Sequence, residues 1–475
     1  VDLAEYSACD ATELRRLLVA RELAPRDVRD AALRAIAAVE PRLNAVVSGP
    51  YEDAPEAAGG PLAGVPFAVK DTLPEAGRPL RFGSRLLAGY VARRDATLTE
   101  RFRRAGLVSI VRTATPEFAF NTDTAPVIGG PTLNPWDPAR SPGGSSGGAA
   151  ALVAAGALPM AHGNDGGGSI RIPAAWCGLV GLKPSRGRVP IGPAVGEAVG
   201  GFAHEFALTR SVRDAAALLD AVAGPAPGDR YYVARPPVSY LGALSERPPR
   251  LRVALCTSPM FGAGVDPHVR AAVQRTGEAL EAMGHHVEES RPEVNETSLR
   301  ACLQTMWTVD LAGLASTFAR IGRREAGPET VEAASWACIR HGRQLSALEL
   351  EAASGIVNSI SRRWGLFLDE YDLFVCPTAP CAAPASGVPD QSDERFCTAE
   401  NWLDAVFGTG ALTPLANLTG QPAISLPLGE SGEGMPIGVM LTAQTLREDL
   451  LLAVAAALED AMPWRERRPA IHAAA

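Results

Sequence analysis

The sequence predicts an α/β protein. Short apolar runs of strand length alternate with longer stretches whose apolar residues recur at helical spacing. At 475 residues the chain can bury one large core or two ordinary ones, and its 47% hydrophobic and 21% charged residues are globular values.

Asp10 to Val47 reads as two helices. Asp10 with Glu13 forms a capping box, and Pro25 precedes a second apolar run through Val28, Ala32, Leu33 and Ile36. Val65–Val69 and Leu107–Val111 have the length and composition of buried strands, the second preceded by a helix over Leu98–Ala105. Between Thr113 and Pro193, glycine, proline, serine and asparagine surround one apolar helical stretch, Ala149–Ala155. Turn chemistry sustained over such a length inside a compact domain points to function. A proline-rich crossing, 224–250, follows. Beyond it Leu251–Cys256 reads as a strand, Pro267–Met283 as an amphipathic helix and His286–Glu289 as a strand, and residues 296–369 are mainly helical. Leu373–Cys376, Ala423–Pro427 and Ile437–Leu441 return to strand, and Arg447–Ala461 closes as a helix. No internal repeat is visible.

The net charge of −8 provides no basic stripe for a phosphate backbone, which argues against nucleic acid as a partner. Val1-Asp2-Leu3-Ala4-Glu5 lacks the order of a signal peptide, and the apolar stretch Gly148–Met160 is shorter than the roughly 20 residues a membrane span needs. Cytoplasmic residence without a membrane partner is the expectation. Eight scattered cysteines with no C-x-x-C pair and no matching His cluster read as reduced thiols rather than a zinc site.

Only two of the 45 Lys and Arg residues are lysines, Lys70 and Lys183. A desolvated lysine can lose its proton where an arginine cannot, so one of the pair is a candidate general base. Lys70 ends the apolar run Val65-Pro66-Phe67-Ala68-Val69, where burial would lower its pKa. Lys183 lies in the turn-like Gly181-Leu182-Lys183-Pro184-Ser185, which suits a structural or loop-anchoring role.

Two glycine-rich stretches carry serines: Ser141-Pro142-Gly143-Gly144-Ser145-Ser146-Gly147-Gly148 and Asp165-Gly166-Gly167-Gly168-Ser169-Ile170-Arg171. Glycine lets main-chain N–H groups converge on a reacting oxygen, as an oxyanion hole requires. A Walker phosphate loop is excluded because neither lysine follows a glycine. Gly143 to Gly147 matches the G-x-S-x-G nucleophile elbow, but Asn134-Pro135-Trp136-Asp137-Pro138 stands where that motif needs a strand. The histidines His204, His268, His285, His286, His341 and His472 read as surface or helix-end residues rather than its base. An S-x-x-K pair is absent.

Together, Gly64 to Asp71 around Lys70, the Gly-Gly-Ser145-Ser-Gly-Gly stretch, Gly167 to Ala174, and the run Cys177 to Pro184 resemble the amidase-signature family. Tyr371 to Thr378, Asn417 to Pro427 and Gly434 to Val439 extend the likeness, which spans about Ala4 to Arg468. His162-Gly163-Asn164-Asp165 looks most like the branch containing bacterial 6-aminohexanoate-cyclic-dimer hydrolases. The resemblance implies a single α/β/α layered domain around a large, mixed, twisted sheet over 1–475. Within it lie a helical segment 1–60, a signature core 61–225, the crossing 224–250, and an α/β part with a helical substrate-pocket insertion 251–475.

It further implies amide hydrolysis through an acyl-enzyme: Ser169 as nucleophile, Ser145 on a cis peptide bond as proton relay, and Lys70 as neutral base. The N–H groups of Gly166, Gly167, Gly168 and Ser169 would hold the oxyanion, while Asp165, Arg171 and Ser146 would support them, Arg171 by pairing with Asp165. Many relatives have Thr where this chain has Gly166, which predicts a more flexible loop. No metal or organic cofactor is implied, the partner is a small amide, and a homodimer is the family-level expectation. The helices between 296 and 369, with Trp307 and Trp336, are expected to wall the pocket. Passing the acyl group to an amine, ammonia or alcohol would instead make an acyl- or amidotransferase, a transfer-RNA-linked subunit included. A degenerate site would leave a binding or scaffold protein.

Overall fold

The computed structural model describes residues 1–52, 59–258, 264–410 and 412–475. Its strands are β1 (Val46–Ser48), β2 (Pro66–Lys70), β3 (Val108–Thr113), β4 (Met160–Asp165), β5 (Val180–Lys183), β6 (His204–Thr209), β7 (Arg252–Leu255), β8 (His286–Glu289), β9 (Leu373–Pro377), β10 (Ala423–Glu430) and β11 (Pro436–Ala443). Eight of them form a mixed sheet in the order β4-β6-β5-β10-β11-β9-β7-β8, parallel only among β9, β7 and β8. The other three form a small sheet, β1-β3-β2, with β2 and β3 parallel and β2 lying against β4.

The apolar periodicity explains most elements. β2 is buried at every position, as its unbroken apolar run requires. The helix Pro267–Ala282 starts on Asp266, whose side chain caps it, and turns Val269, Ala272, Val273 and Leu280 into the core. Helices Glu296–Gly322, Ala333–Gly342 and Ala347–Glu370 build a second hydrophobic cluster beside the main one. Among the described residues no helix is long and apolar enough to cross a membrane.

Two local expectations need correction, and one element is additional. Only half of the capping box at Asp10 forms: its carboxylate accepts the Glu13 N–H at 2.9 Å, while Glu13 turns to Arg16, also at 2.9 Å. A guanidinium one turn away competes successfully for that carboxylate. A further helix, Leu3–Ala8, precedes the two expected ones. The segment 113–193 is not turn alone, since it contains β4, β5 and the helix Arg171–Cys177.

Candidate active site

Three segments converge where the small sheet meets β4. β2 delivers Lys70 at its C-terminal end, fully buried. The glycine-rich loop before the helix Gly147–Ala154 delivers Ser145 and Ser146, both fully buried, with the Gly144–Ser145 peptide cis. β4 runs into the loop 166–170, which carries Ser169 at partial exposure.

The loop before Ser145 is tied on both sides. Thr124 Oγ1 donates to the Gly143 carbonyl at 2.9 Å and accepts the Gly147 N–H at 3.1 Å, and Ser141 Oγ accepts the Gly143 N–H at 3.0 Å. Gly143 has φ +84°, and a Cβ there would lie 2.6 Å from Pro173 Cα, so no other residue fits.

Lys70 Nζ lies 2.7 Å from Ser145 Oγ, 3.0 Å from Ser146 Oγ and 2.5 Å from Asn164 Oδ1. A neutral amine has two N–H groups and one lone pair, which matches this set. The Asn164 oxygen can only accept. Ser146 donates its own proton to the Asn164 carbonyl at 3.3 Å, so it too accepts from the amine. The lone pair is left for the Ser145 hydroxyl proton, an assignment made from the network. Burial lowers the Lys70 pKa to about 7, against opposing attraction from Glu205 and Asp165, so the neutral form is accessible near neutral pH.

Ser169 joins this cluster through its main chain: the Ser146 N–H donates to the Ser169 carbonyl at 3.2 Å. Its side chain lines a cleft walled by Phe120, Ile172, Trp307 and Phe407, with Asn121 and Thr122 at the polar edge. Among the described residues no hydrogen bond joins the Ser145 and Ser169 hydroxyls.

The loop itself is anchored from beneath by Asp165. Its oxygens accept the Gly168 N–H at 2.7 Å, the Ile170 N–H at 3.2 Å, the Arg171 guanidinium at 2.9 Å and Asn417 Nδ2 at 2.9 Å. Burial alone would raise the Asp165 pKa, but Arg171 and Asn417 overcome it and hold the group well below the usual carboxylate range. Thr413 Oγ1 donates to the Gly167 carbonyl at 2.7 Å. The Gly168 N–H is therefore spent on Asp165, and Gly168 drops out of the expected oxyanion donors. The N–H groups of Gly167 and Ser169 donate no hydrogen bond among the described residues.

Gly166 faces an aromatic wall of the cleft. A Cβ at 166 would lie 2.9 Å from the Trp307 ring, so the glycine is where the indole packs. Trp307 reaches the cleft, whereas Trp336 packs at the second hydrophobic cluster under Arg343. All eight cysteines are free, and among the described residues no group of three or more His, Cys, Asp or Glu is set to hold a metal.

Residues 27–452 match the family described as Amidase. The 6-aminohexanoate-cyclic-dimer hydrolase of Paenarthrobacter ureafaciens is 39% identical over 97% of this chain and 96% of its own length. The enzyme of the same name from Pseudomonas sp. (strain NK87) has the same identity and coverage. The chain belongs to the amidase family. A solved structure of 6-aminohexanoate cyclic dimer hydrolase matches this amidase with a TM-score of 0.93, 37% identity and 99% of each chain covered. The amidase is accordingly an enzyme acting on amide C–N bonds, built on the amidase-signature fold.

The amidase places several polar residues at the site that the sequence did not single out. Asn164 touches Lys70, Asn417 and Thr413 hold the 165–168 loop, and His162 accepts the Lys70 main-chain N–H. The quoted runs His162–Asp165 and Asn417–Pro427 carried that signal. His204, expected near the surface, is instead a buried first residue of β6, because its cross-strand partner is Asp165 in the floor of the loop.

Proposed function

We propose that this amidase hydrolyses small cyclic or linear amides through an acyl-enzyme formed on Ser169. The Ser169 hydroxyl attacks the carbonyl carbon while its proton passes to Ser145 Oγ, and the Ser145 proton passes to Lys70 Nζ. The oxyanion rests on the N–H groups of Gly166, Gly167 and Ser169, each worth about 3 kcal/mol in comparable sites. The relay returns the proton to the departing amine, and water then attacks the ester and releases the acid. Asp165, Arg171 and Ser146 keep the loop and the base in place.

One observation carries the reading: a buried lysine with its lone pair assigned to the Ser145 hydroxyl, at a pKa of about 7. The apolar walls Phe120, Trp307 and Phe407 suit a methylene-rich substrate, and the kinship with 6-aminohexanoate-cyclic-dimer hydrolases supports an aliphatic cyclic or linear amide.

The test combines turnover with labelling. Wild-type enzyme should hydrolyse the cyclic dimer of 6-aminohexanoate or short aliphatic amides, and a fluorophosphonate should add once, on Ser169 by mass mapping. Ser169→Ala should take no label. An adduct on Ser145 would overturn the assignment of nucleophile.

A further inference from the structure

Behind Lys70 lies a pair of side chains that the relay does not use. The Lys70 main-chain N–H donates to His162 Nδ1 at 3.2 Å, and His162 Nε2 lies 2.8 Å from Glu205 Oε2. A ring nitrogen that accepts from an N–H carries no proton of its own. His162 is therefore the neutral ring protonated on Nε2, and that proton is donated to Glu205. Burial lowers the His162 pKa in the same direction.

The strand register puts this pair on the working face. β4 pairs antiparallel with β6 so that Asn164 stands opposite Glu205 and His162 opposite Ala207. Direct cross-strand partners, and residues two apart on one strand, share a face. His162, Asn164 and Glu205 thus share the face on which Asn164 Oδ1 meets Lys70 Nζ.

The other charges around the lysine are already matched. Arg112, on β3, donates to the Lys70 carbonyl at 3.2 Å and is paired with Asp71 and Glu75. Asp165 is paired with Arg171. Glu205, its side chain 14% exposed, forms its only ion-pair contact among the described residues with His162, whose ring is neutral.

We propose that His162 and Glu205 are positioning residues for Lys70: the imidazole holds the lysine's main chain, and the carboxylate fixes the ring tautomer and supplies an unmatched negative charge to the base. The proposal rests on the reading of Lys70 as base. Burial drives the lysine's proton affinity down, and Glu205 is the leading group that opposes the fall. The pair therefore decides at what pH the base becomes free.

The experiment is the pH profile of kcat/KM for wild type, Glu205→Gln, Glu205→Asp, His162→Phe and Lys70→Ala. Removing a negative charge favours the neutral lysine, so Glu205→Gln should move the acid limb down by about half a unit, less than a direct ion pair would give. One unit below the wild-type midpoint, its activity relative to its own plateau should be about threefold higher. Glu205→Asp, which keeps the charge, should restore the wild-type midpoint. His162→Phe keeps a ring but has no acceptor, and should lower kcat about tenfold at unchanged KM. A Glu205→Gln limb at the wild-type midpoint, or a His162→Phe enzyme with wild-type kcat, overturns the pair while leaving an inactive Lys70→Ala to support the base. Turnover by Lys70→Ala overturns the base reading and the pair with it.

Discussion

The chain's two lysines end two strands, β2 and β5, and both are completely buried. Burial pushes the pKa of each down, to about 7 for Lys70 and well below its ordinary value for Lys183. Their surroundings differ. Lys70 meets two hydroxyls and an amide oxygen, whereas Lys183 Nζ donates to the Pro184 carbonyl at 2.8 Å and sits among the opposed charges of Arg171, Asp165, Arg186 and Glu448. Loss of charge is thus common to both positions. What separates a base from a structural amine is a neighbouring hydroxyl with a proton to give, and that comes from the fold around the lysine rather than from the lysine.

The comparison breaks most sharply at Lys70. Lys70→Arg keeps a long cationic side chain but cannot release a proton, so turnover should fall by about 10³-fold or more while the fold survives. In the wild type the sign is set by the same group: the protonated lysine cannot accept, so kcat/KM should be low at acid pH and rise with a midpoint near 7. Steady-state rates from pH 5 to 9 read both effects. A Lys70→Arg enzyme with wild-type rates would remove the distinction between the two lysines.

Much of the frame was legible because its signals are local. Pro66–Lys70 forms the buried strand its apolar run requires, and Pro267 begins its helix with Asp266 as cap. Lys70, Ser145 and Ser169 stood out through their glycine-rich or apolar settings. β4 was hidden because Met160-Ala161-His162-Gly163-Asn164-Asp165 has no strand-like alternation of apolar residues. Its polar side chains are satisfied by partners outside the strand: His162 by Glu205, Asn164 by Lys70, and Asp165 by nearby Arg171 and distant Asn417. A strand whose burial is compensated by tertiary hydrogen bonds reads locally as a turn. The role of Asn417 was hidden for the same reason, since it reaches the 165–169 loop from far along the chain. Trp307 was expected at the pocket wall, but its packing against Gly166 was not.

A substitution that moves the cleft wall without touching either lysine sharpens the contrast between base and binding surface. Gly166→Thr places a Cβ 2.9 Å from the Trp307 ring and must displace the indole. Overpacking of this kind costs about 1–3 kcal/mol. The expected result is a KM raised about tenfold and a lower Tm, with the midpoint of the pH profile unmoved because Lys70 keeps its partners. A shifted midpoint would mean that the cleft wall and the base are not separable.

The smallest effect belongs to Lys183→Met, which keeps the apolar stem and removes the amine. The folded protein holds Lys183 neutral well below its ordinary pKa near 10.5, while the unfolded chain protonates it normally. As pH falls below about 10, the unfolded state therefore takes up a proton that the folded state refuses, and stability drains away. The methionine variant escapes that loss and gives up one hydrogen bond, to Pro184. Its Tm should match or exceed wild type at pH 7, and the difference should shrink as pH approaches 10. Activity should stay within about threefold, since no hydroxyl waits on this amine. Thermal unfolding at pH 7 and pH 10, with rates alongside, measures both. A rate loss comparable to that of Lys70→Arg would place Lys183 in the machinery and erase the difference drawn between the two buried amines.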